Sequence, residues 1–511
     1  MKQLMMSKTK TLIRSFLILF ILTNYFSFTN VYGQTSSDSD QKKAKYIFLF
    51  IGDGMGISQA IVTDIYLKSI YKTDTSLFFT DFPVCGLTST KCVDSYITDS
   101  GAAGTAIACG QKTMTGVIGM DSTKTIKLKT IADQLKEKNW KIGIISNVSL
   151  NHATPAVFYS HQPSRNNYND IAIEMAESDV DYFGGGGIKI KSDSLINREH
   201  IYEIFRKNEF NIVNNKETFG NWKNKDGKML AINPVLSSGE AMPYVIDNPQ
   251  ESISLADFTE KGIELLDNED GFFMMIEGGK IDWACHSNDA ATVITETLAF
   301  NEAIGEALEF YNSHPDETLI IVTADHETGG MSVGWSGTHY SLFYDLLRQQ
   351  NISYDEFSDK INKYISSHTI QNASIDHLLP LINEHFGLIY LPEKVLDSLS
   401  KIENSESGIL AETLQLSLSP EEMDMLNKAL YDSFIKDNEN YDILYGGGSP
   451  LAVTTIKILD NKAGVGWTTF SHTGIPVATY AKGINADLFS GFYENSDIPK
   501  KILKSTQVLK K

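Results

Sequence analysis

The sequence predicts an α/β fold with a central, mainly parallel β-sheet, helices on both faces of the sheet, and an inserted helical subdomain. Three observations predict it. Short apolar, β-rich segments recur along the chain, helical patterns lie between them, and one long segment has amphipathic patterning with little strand character. Strands that alternate with helices are typical of a parallel sheet covered on both sides. With 511 residues, 42% of them hydrophobic, the chain can bury one large core together with an insertion.

Residues 1–33 have the pattern of a signal peptide, in which basic residues precede an apolar segment at 16–28. The end of this segment, Val31-Tyr32-Gly33, suits cleavage. The apolar segment is short for a membrane span, and no later stretch has spanning length, so no stable membrane insertion is expected. We therefore expect an exported protein, periplasmic or extracellular, with an uncleaved anchor as the alternative. Residues 34–43 are polar and are interpreted as a lead-in.

The chain is strongly acidic. Its formal charge of −20 would become −24 without residues 1–33, because four basic and no acidic side chains would be removed. Such a surface disfavours nucleic acid as a specific partner and disfavours binding to anionic membranes. It is equally unfavourable for an anionic substrate, so a substrate of that kind requires a locally cationic site.

The four cysteines are too few for a disulfide scaffold, and none has C-x-x-C spacing. An exported chain permits a bridge between Cys85 and Cys92 across a short turn, and the sequence leaves that question open. Cys109 lies among small residues and is expected to be a buried free thiol.

Four apolar segments predict the buried strands of the sheet, at 46–51, 141–146, 271–276 and 318–323. Between the last two, apolar residues from Ile294 to Tyr311 fall on one face of a predicted helix that covers the sheet.

The segment 337–444 is rich in Leu, Ser, Asn and Glu, and we interpret it as the helical insertion. One of its helices is predicted to begin at Ser419-Pro420-Glu421-Glu422, where a serine cap, a proline at the first position and a glutamate at the third follow the rules for helix starts. The flanking segments, 44–336 and 445–511, then form the α/β domain. Strand-like sequence returns at 452–459.

Polar side chains suited to metal binding follow each of the four predicted strands. They are Asp53 after the first, His152 and Thr154 after the second, Glu277, Asp282 and His286 after the third, and Asp325 and His326 after the fourth. Ligands of open α/β sheets bind at the carboxyl ends of the strands, so these groups should converge. Each histidine taken alone is more often an ordinary polar residue, but the joint pattern favours a site.

Asp282 and His286 are four residues apart, which puts both on one face if the segment is helical. A carboxylate and a neutral imidazole suit zinc, and one more ligand would leave a coordination position open. His472, in Phe470-Ser471-His472-Thr473-Gly474, is the candidate for that ligand.

Ser100 opens a segment of small residues that is expected to begin a helix. Asp99 could simply cap this helix. The functional interpretation is that a serine at a helix N-terminus lies beside free N–H groups that stabilise a phosphoryl group. No G-x-S-x-G elbow surrounds it, so activation by metal coordination is the better hypothesis.

Together these segments resemble the signature of the alkaline phosphatase family. The matching segments, in order, are Gly52-Asp53-Gly54-Met55-Gly56, Thr98-Asp99-Ser100, His152-Ala153-Thr154-Pro155, Ser164-Arg165, Glu277-Gly278-Gly279-Lys280-Ile281-Asp282 with His286, Thr323-Ala324-Asp325-His326 and His472-Thr473-Gly474. The resemblance implies two zinc ions and one magnesium ion per chain. The implied ligands are Asp282, His286 and His472 for the first zinc, Asp53, Asp325 and His326 for the second, and Asp53, Thr154 and Glu277 for magnesium.

The resemblance also implies a reaction, the hydrolysis of small phosphate monoesters. Ser100 corresponds to the serine that is phosphorylated, and Arg165 to the arginine that holds two phosphate oxygens, a role that suits a planar bidentate donor. Water then releases inorganic phosphate. Three divalent cations outweigh the four carboxylates of the site, so the pocket would be cationic inside an anionic protein. A homodimer is implied by resemblance alone.

Two positions depart from the best-known pattern of the family, which has aspartate at His152 and lysine at Trp283. We place His152 beside the third ion rather than among its ligands, which leaves the identity of that ion open, and we place Trp283 in the substrate pocket. The alternatives are a phosphodiesterase of the same superfamily, or a non-catalytic secreted protein that binds metal or phosphate.

Overall fold

A computed structural model describes residues 43–71, 75–191, 196–223, 227–400, 408–435 and 441–506. The predicted signal peptide and nearly all of the lead-in lie outside the described residues. No helix in the described part of the chain is both long and apolar enough to cross a membrane.

Fourteen strands are present in the described residues. They are β1 (Tyr46–Ile51), β2 (Val84–Ser89), β3 (Lys141–Ser146), β4 (Tyr182–Gly185), β5 (Phe210–Val213), β6 (Lys228–Ile232), β7 (Phe272–Glu277), β8 (Thr318–Thr323), β9 (Glu327–Thr328), β10 (Ser332–Val333), β11 (Val465–Gly466), β12 (His472–Thr473), β13 (Val477–Gly483) and β14 (Gly491–Glu494).

Ten of these strands form one sheet, in the order β14-β2-β13-β8-β1-β7-β3-β4-β6-β5. β13 is antiparallel to both of its neighbours, and the other pairs in the sheet are parallel. The mainly parallel sheet predicted from the sequence is therefore confirmed. The short strands pair as β10 with β11 and as β12 with β9.

The helices of the described residues are α1 (Ile57–Tyr71), α2 (Ser100–Cys109), α3 (Ile131–Lys136), α4 (Ala153–Ala156), α5 (Tyr168–Glu177), α6 (Arg198–Lys207), α7 (Lys216–Asn221), α8 (Leu255–Leu266), α9 (Lys280–His286), α10 (Ala290–Ser313), α11 (Tyr354–Ser367), α12 (Leu379–Phe386), α13 (Glu393–Ser400), α14 (Gly408–Gln415), α15 (Pro420–Ile435), α16 (Tyr441–Tyr445), α17 (Pro450–Ala463) and α18 (Ile498–Thr506).

The sheet is buried on both faces. Along β1, Phe48 and Phe50 belong to one apolar cluster, whereas Ile47 and Leu49 belong to another. Successive side chains of a strand point to opposite faces, so the two clusters lie on opposite sides of the sheet. Helices α1, α8, α10 and α17 contribute to the first cluster, and α2, α3, α5, α6 and α18 to the second. Because both faces of the sheet are covered, the central strands are continuously apolar in sequence.

The segment 337–444 contains helices and no named strand within its described residues. Its apolar residues, such as Phe357, Ile382 and Leu426, join the cluster on the α10 side of the sheet. At the start of α15, Ser419 accepts a hydrogen bond from the backbone N–H of Glu422, whose carboxylate accepts from the Ser419 N–H, as predicted. The division into an α/β domain and an insertion stays a prediction.

The strand predicted at 452–459 is wrong, because these residues lie within α17. The segment is rich in β-branched residues, and nearly all of it is buried in the structure although Thr454, Thr455 and Lys457 are polar. The periodicity of so short a segment does not distinguish a buried helix from a buried strand. Ser449 and Pro450, directly before it, are typical of a helix start and were the better signal.

All four thiols are free in the structure, so no bridge joins Cys85 and Cys92. Cys85 is exposed and Cys92 is buried. Cys109 is a free thiol as predicted, although it is half-buried rather than fully buried.

Candidate active site

The sheet brings three acidic segments to the same edge. β1 lies between β7 and β8 and is parallel to both, with Ile51 level with Glu277 on one side and Thr323 on the other. Asp53 and Asp325 each follow their strand by two residues, and Glu277 ends its own strand. All three carboxylates are fully buried. Convergence at the carboxyl edge, expected from the sequence, is therefore present in the structure.

Within its described residues, the structure contains three groups of side chains, and each group is arranged so that it could bind one metal ion of its own. Within each group the potential ligand atoms all lie within 4.8 Å of one another. The groups are Asp282 with His286 and His472, Asp53 with Asp325 and His326, and Asp53 with His152 and Glu277. Asp53 is shared by the second and third groups, which places the three candidate sites next to one another.

The predicted helical spacing of Asp282 and His286 is present in α9, which spans Lys280–His286. His286 Nδ1 lies 2.6 Å from the carbonyl oxygen of Phe470, and His472 Nδ1 lies 2.8 Å from that of Thr98. A carbonyl oxygen only accepts, so each Nδ1 must carry the proton. A metal ion could therefore be bound only through Nε2 of each ring, and the two Nε2 atoms lie 3.1 Å apart.

In the second group, Thr328 determines which ring nitrogen of His326 carries the proton. Its hydroxyl donates to Asp282 Oδ1 at 2.6 Å, so it can only accept from His326 Nδ1 at 3.2 Å. His326 Nε2 then faces Asp53 Oδ1 at 3.4 Å and Asp325 Oδ2 at 3.3 Å. Three imidazole lone pairs are thus aimed at carboxylates, an arrangement that suits a divalent cation between them.

The charges also fit cations. Asp53 Oδ1, Glu277 Oε1 and Asp325 Oδ2 are buried without a hydrogen-bond donor among the described residues. Burial, together with the neighbouring carboxylates, raises the pKa of Asp53 and of Asp325 above the usual range. Buried carboxylates packed against one another are costly as anions unless a positive charge lies among them. The donor set of carboxylates and imidazoles suits zinc.

The raised pKa of His286 shows the same preference for positive charge. Burial opposes protonation of this ring, yet the Asp282 carboxylate raises its pKa to about 9. The side chain of His286 is 38% exposed, whereas those of His326 and Asp53 are fully buried. The candidate site therefore opens towards solvent on the His286 side.

Ser100 is the first residue of α2, as predicted, and it is almost completely buried. Asp99 caps the helix by accepting from the N–H of Ala102 at 3.0 Å. The hydroxyl oxygen of Ser100 lies 3.4 Å from His326 Nε2. The structure thus places one hydroxyl at a helix N-terminus, beside the candidate metal groups.

Arg165 is held by two partners beside this helix. Its Nη1 donates to Asp99 Oδ2 at 2.9 Å, and its Nη2 lies 3.2 Å from His152 Nε2. Burial opposes the charge of the guanidinium, but Asp99 raises the pKa of Arg165 above its usual value. A guanidinium fixed in this way can present two N–H groups to a tetrahedral anion.

His152 and Thr154 both lie at the third group. The Thr154 hydroxyl donates to Asp53 Oδ2 at 3.3 Å. His152 approaches Asp53 and Glu277 closely enough to act as a ligand, although we predicted a position outside the ligand set. Burial, with the charge of Arg165, lowers the pKa of His152 to about 3, so the ring is neutral.

Trp283 lies beside these groups, half-buried. Its ring meets that of His152 edge to face, with centroids 6.0 Å apart. The fully buried Lys280 places its Nζ 4.9 Å from the Trp283 ring. The tryptophan is therefore wedged between a lysine and the histidine that contacts Arg165.

Sequence reasoning missed two contributions to the site. The first is Thr328, whose hydroxyl joins the first group to the second. The second is the ion pair of Asp99 with Arg165, since Asp99 was interpreted only as a possible helix cap. A hydroxyl two residues after a candidate ligand was a signal for Thr328, but its partner Asp282 is 46 residues away along the chain.

Comparisons with known proteins agree with the geometry. The family model for alkaline phosphatase matches residues 44–508. Alkaline phosphatase 3 of Bacillus subtilis is 29% identical over 486 residues, which cover 93% of this chain and 91% of the relative. The alkaline phosphatase of Schizosaccharomyces pombe is 26% identical, with coverage of 96% of this chain and 86% of the relative.

Among solved structures, a cold-active alkaline phosphatase from a psychrophilic Shewanella sp. is similar to this chain, with a TM-score of 0.72 and 28% sequence identity. The match covers 91% of this chain and all of that chain. The alkaline phosphatase of the Antarctic bacterium TAB5 has a TM-score of 0.61 and 25% identity, with coverage of 92% of this chain and all of that chain. The chain therefore belongs to the alkaline phosphatase family and is a hydrolase of phosphate monoesters.

Proposed function

We propose that the chain is an exported phosphomonoesterase that requires two zinc ions and one magnesium ion and that works through a phosphoserine on Ser100. One observation carries the proposal: a buried serine hydroxyl at a helix N-terminus lies 3.4 Å from His326 Nε2, a member of one of three adjoining potential metal groups. Export rests on the pattern of residues 1–33, outside the described part of the chain. A homodimer stays a prediction.

The metal assignments follow the donor sets. Asp282, His286 and His472 would hold one zinc ion, and Asp53, Asp325 and His326 the other. Asp53, Thr154 and Glu277 would hold magnesium, with His152 close enough to join them. When bound, these cations supply Lewis acidity, which favours a deprotonated oxygen nucleophile at neutral pH and stabilises charge on a phosphoryl group.

The chain's own residues would orient the ester and take part in its cleavage. Arg165 binds two phosphate oxygens, and the free N–H groups at the start of α2 favour negative charge beside Ser100. Ser100 loses its proton, and its oxygen bonds to phosphorus as the ester oxygen leaves and gains a proton. Water then attacks the phosphoserine, which releases inorganic phosphate and restores the hydroxyl.

A comparison of esters with and without a chelator tests the proposal. Purified chain should release p-nitrophenol from p-nitrophenyl phosphate much faster than from bis(p-nitrophenyl) phosphate, and the chelator should abolish the release. Faster cleavage of the diester would favour a phosphodiesterase. Binding of zinc without release from either ester would favour a storage protein. Unchanged cleavage of the monoester after the metals are stripped would contradict the proposed role of the metals.

Asp99→Asn should weaken the binding of phosphate without destroying the helix cap. The amide oxygen can still accept from the N–H groups of Ala102 and Gly116, but the amide nitrogen would then face the Arg165 guanidinium. The Arg165 side chain would lose its fixed orientation, and part of the free energy of phosphate binding would be used to order that side chain. The inhibition constant for phosphate and KM should rise about two- to tenfold, the usual cost of ordering one long side chain.

In this experiment kcat should not fall, because Asp99 does not take part in bond breaking. Asp257→Asn is the matched control, since Asp257 also lies in a helix start, at α8, where its carboxylate accepts from the Ser254 N–H. An unchanged inhibition constant in Asp99→Asn would contradict the orienting role.

Trp283→Lys should tighten the binding of phosphate, because tryptophan supplies no charge at this half-buried position. We expect the inhibition constant for phosphate to fall about two- to fivefold, the range of an ion pair open to solvent. Trp283→Leu removes the ring without adding charge and serves as the control. If the lysine variant binds phosphate no better than the leucine variant, the prediction is wrong.

A further inference from the structure

Glu327 is a buried carboxylate to which the proposed reaction gives no role. It is 3% exposed and lies between His326 and Thr328. Within the described residues no hydrogen bond or ion pair joins it to Ser100 or Arg165. It packs so closely on the backbone directly before α1 that a Cβ added to Gly56 would lie 2.3 Å from Glu327 Cγ. A buried charge is retained only where several donors compensate its desolvation.

Those donors come from three separate segments. Glu327 Oε1 accepts from Gln59 Nε2 at 2.8 Å and from the N–H of Met331 at 3.3 Å. Glu327 Oε2 accepts from the Thr473 hydroxyl and from the N–H of Gly330 at 3.2 Å. The carboxylate thus joins α1, the turn after β9, and β12. All four groups are donors, and a carboxylate can accept from every one of them.

Thr473 is the neighbour of His472, and both residues make up β12. This strand pairs with β9 over two residues only, with His472 opposite Thr328 and Thr473 opposite Glu327. A two-residue ladder is weak by itself. The bond from Thr473 to Glu327 adds a side-chain contact to this ladder, beside the bonds of the Gly329 N–H to the Ser471 carbonyl oxygen and of His472 Nδ1 to the Thr98 carbonyl oxygen.

The position of β12 decides where the His472 imidazole lies. The ring stacks on that of His326 with centroids 3.6 Å apart, and its Nε2 lies 3.1 Å from His286 Nε2. A shift of β12 by one ångström would move this nitrogen away from the other two members of its group, Asp282 and His286.

We propose that Glu327 is a positioning residue that, through Thr473 and Gln59, holds His472 at the candidate zinc centre and so sets the zinc affinity of that centre. The inference rests on the proposed function, because it assumes that Asp282, His286 and His472 bind zinc. It assigns to Glu327 no contact with the substrate.

Glu327→Gln is the direct test, because it preserves the size of the side chain. The amide has one oxygen, so its nitrogen would face donors that the carboxylate now satisfies. Zinc affinity of the full chain, measured by competition with a chelator, should fall about 10- to 100-fold, as for other residues that orient metal ligands. Thr473→Val should lower it about two- to tenfold, in line with the loss of one hydrogen bond, and Thr473→Ser should restore it.

Glu174→Gln is the matched control. Like Glu327, Glu174 accepts from a side-chain hydroxyl and a backbone N–H, those of Ser160 and His161, and it also pairs with Lys127, but no hydrogen bond among the described residues joins it to a candidate ligand. The Glu174→Gln substitution should leave the zinc affinity of the chain unchanged. In Glu327→Gln at saturating zinc, kcat and KM should approach those of the wild type, because the affected step is metal binding.

Thermal unfolding separates positioning from general stabilisation. Zinc that binds the folded chain stabilises it by an amount that grows with the logarithm of the free zinc concentration divided by Kd. At one fixed free zinc concentration, the shift in melting temperature between chelated and zinc-bound protein should therefore be smaller in Glu327→Gln. Wild-type zinc affinity in that variant, with equal losses of stability in both states, would overturn the inference. A wild-type chain that binds no zinc would contradict the proposed function instead.

Discussion

Ser100→Ala is expected to abolish covalent phosphorylation and to lower kcat for p-nitrophenyl phosphate by at least about 10³-fold, by analogy with the loss of other serine nucleophiles. The hydroxyl is almost completely buried, begins the helix and lies 3.4 Å from His326 Nε2. The metal groups and Arg165 remain, so the variant should still bind phosphate. Residual turnover would then come from binding and electrostatics alone.

Two measurements check this expectation. Intact mass after brief incubation with substrate should show an added phosphoryl group in the wild type and none in Ser100→Ala. Ser160→Ala is the control, since Ser160 is also a buried serine, but its hydroxyl donates to Glu174, away from the candidate ligands. Wild-type turnover in Ser100→Ala would refute the assignment of the nucleophile.

Asp53→Asn should have the second large effect, because Asp53 belongs to two of the three candidate metal groups. An amide lacks the charge of a carboxylate and presents one oxygen rather than two. We expect the affinity for one zinc ion and for magnesium to fall by more than about 100-fold, beyond the range for residues that only orient ligands. Activity should fall with the metal content.

Metal content by elemental analysis, measured together with activity, checks this prediction. Asp181→Asn is the matched control. Asp181 precedes β4 and thus lies at the opposite edge of the sheet, where it pairs with Lys136 at 2.6 Å. That variant should lose some stability but keep its metals. Full metal content in Asp53→Asn would contradict the shared ligand.

The sequence predicted the parts of this protein that depend on local pattern. The predicted strands at 46–51, 141–146 and 318–323 agree with β1, β3 and β8, and the fourth is displaced by one residue at each end. Burial on both faces makes such strands continuously apolar. The helix start at Ser100 was readable for a similar reason, because a cap and its donors are three residues apart. The error at 452–459 came from the same local pattern, since it does not separate a buried strand from a buried helix.

Apart from His472, a candidate from a distant segment, the ligands were found because each follows a strand end or shares a helix face with another. Their partners were not. Thr328 reaches Asp282, Arg165 reaches Asp99, and Glu327 reaches Thr473 across 46, 66 and 146 residues of chain. No local period relates such positions, because the order of neighbouring strands and the packing of loops bring them together. The sequence by itself therefore determined the strands, the helix starts and the types of ligand. Only the tertiary structure decided which side chains orient those ligands. The reason is that a hydrogen bond acts over about three ångströms of space, irrespective of the distance between its partners along the chain.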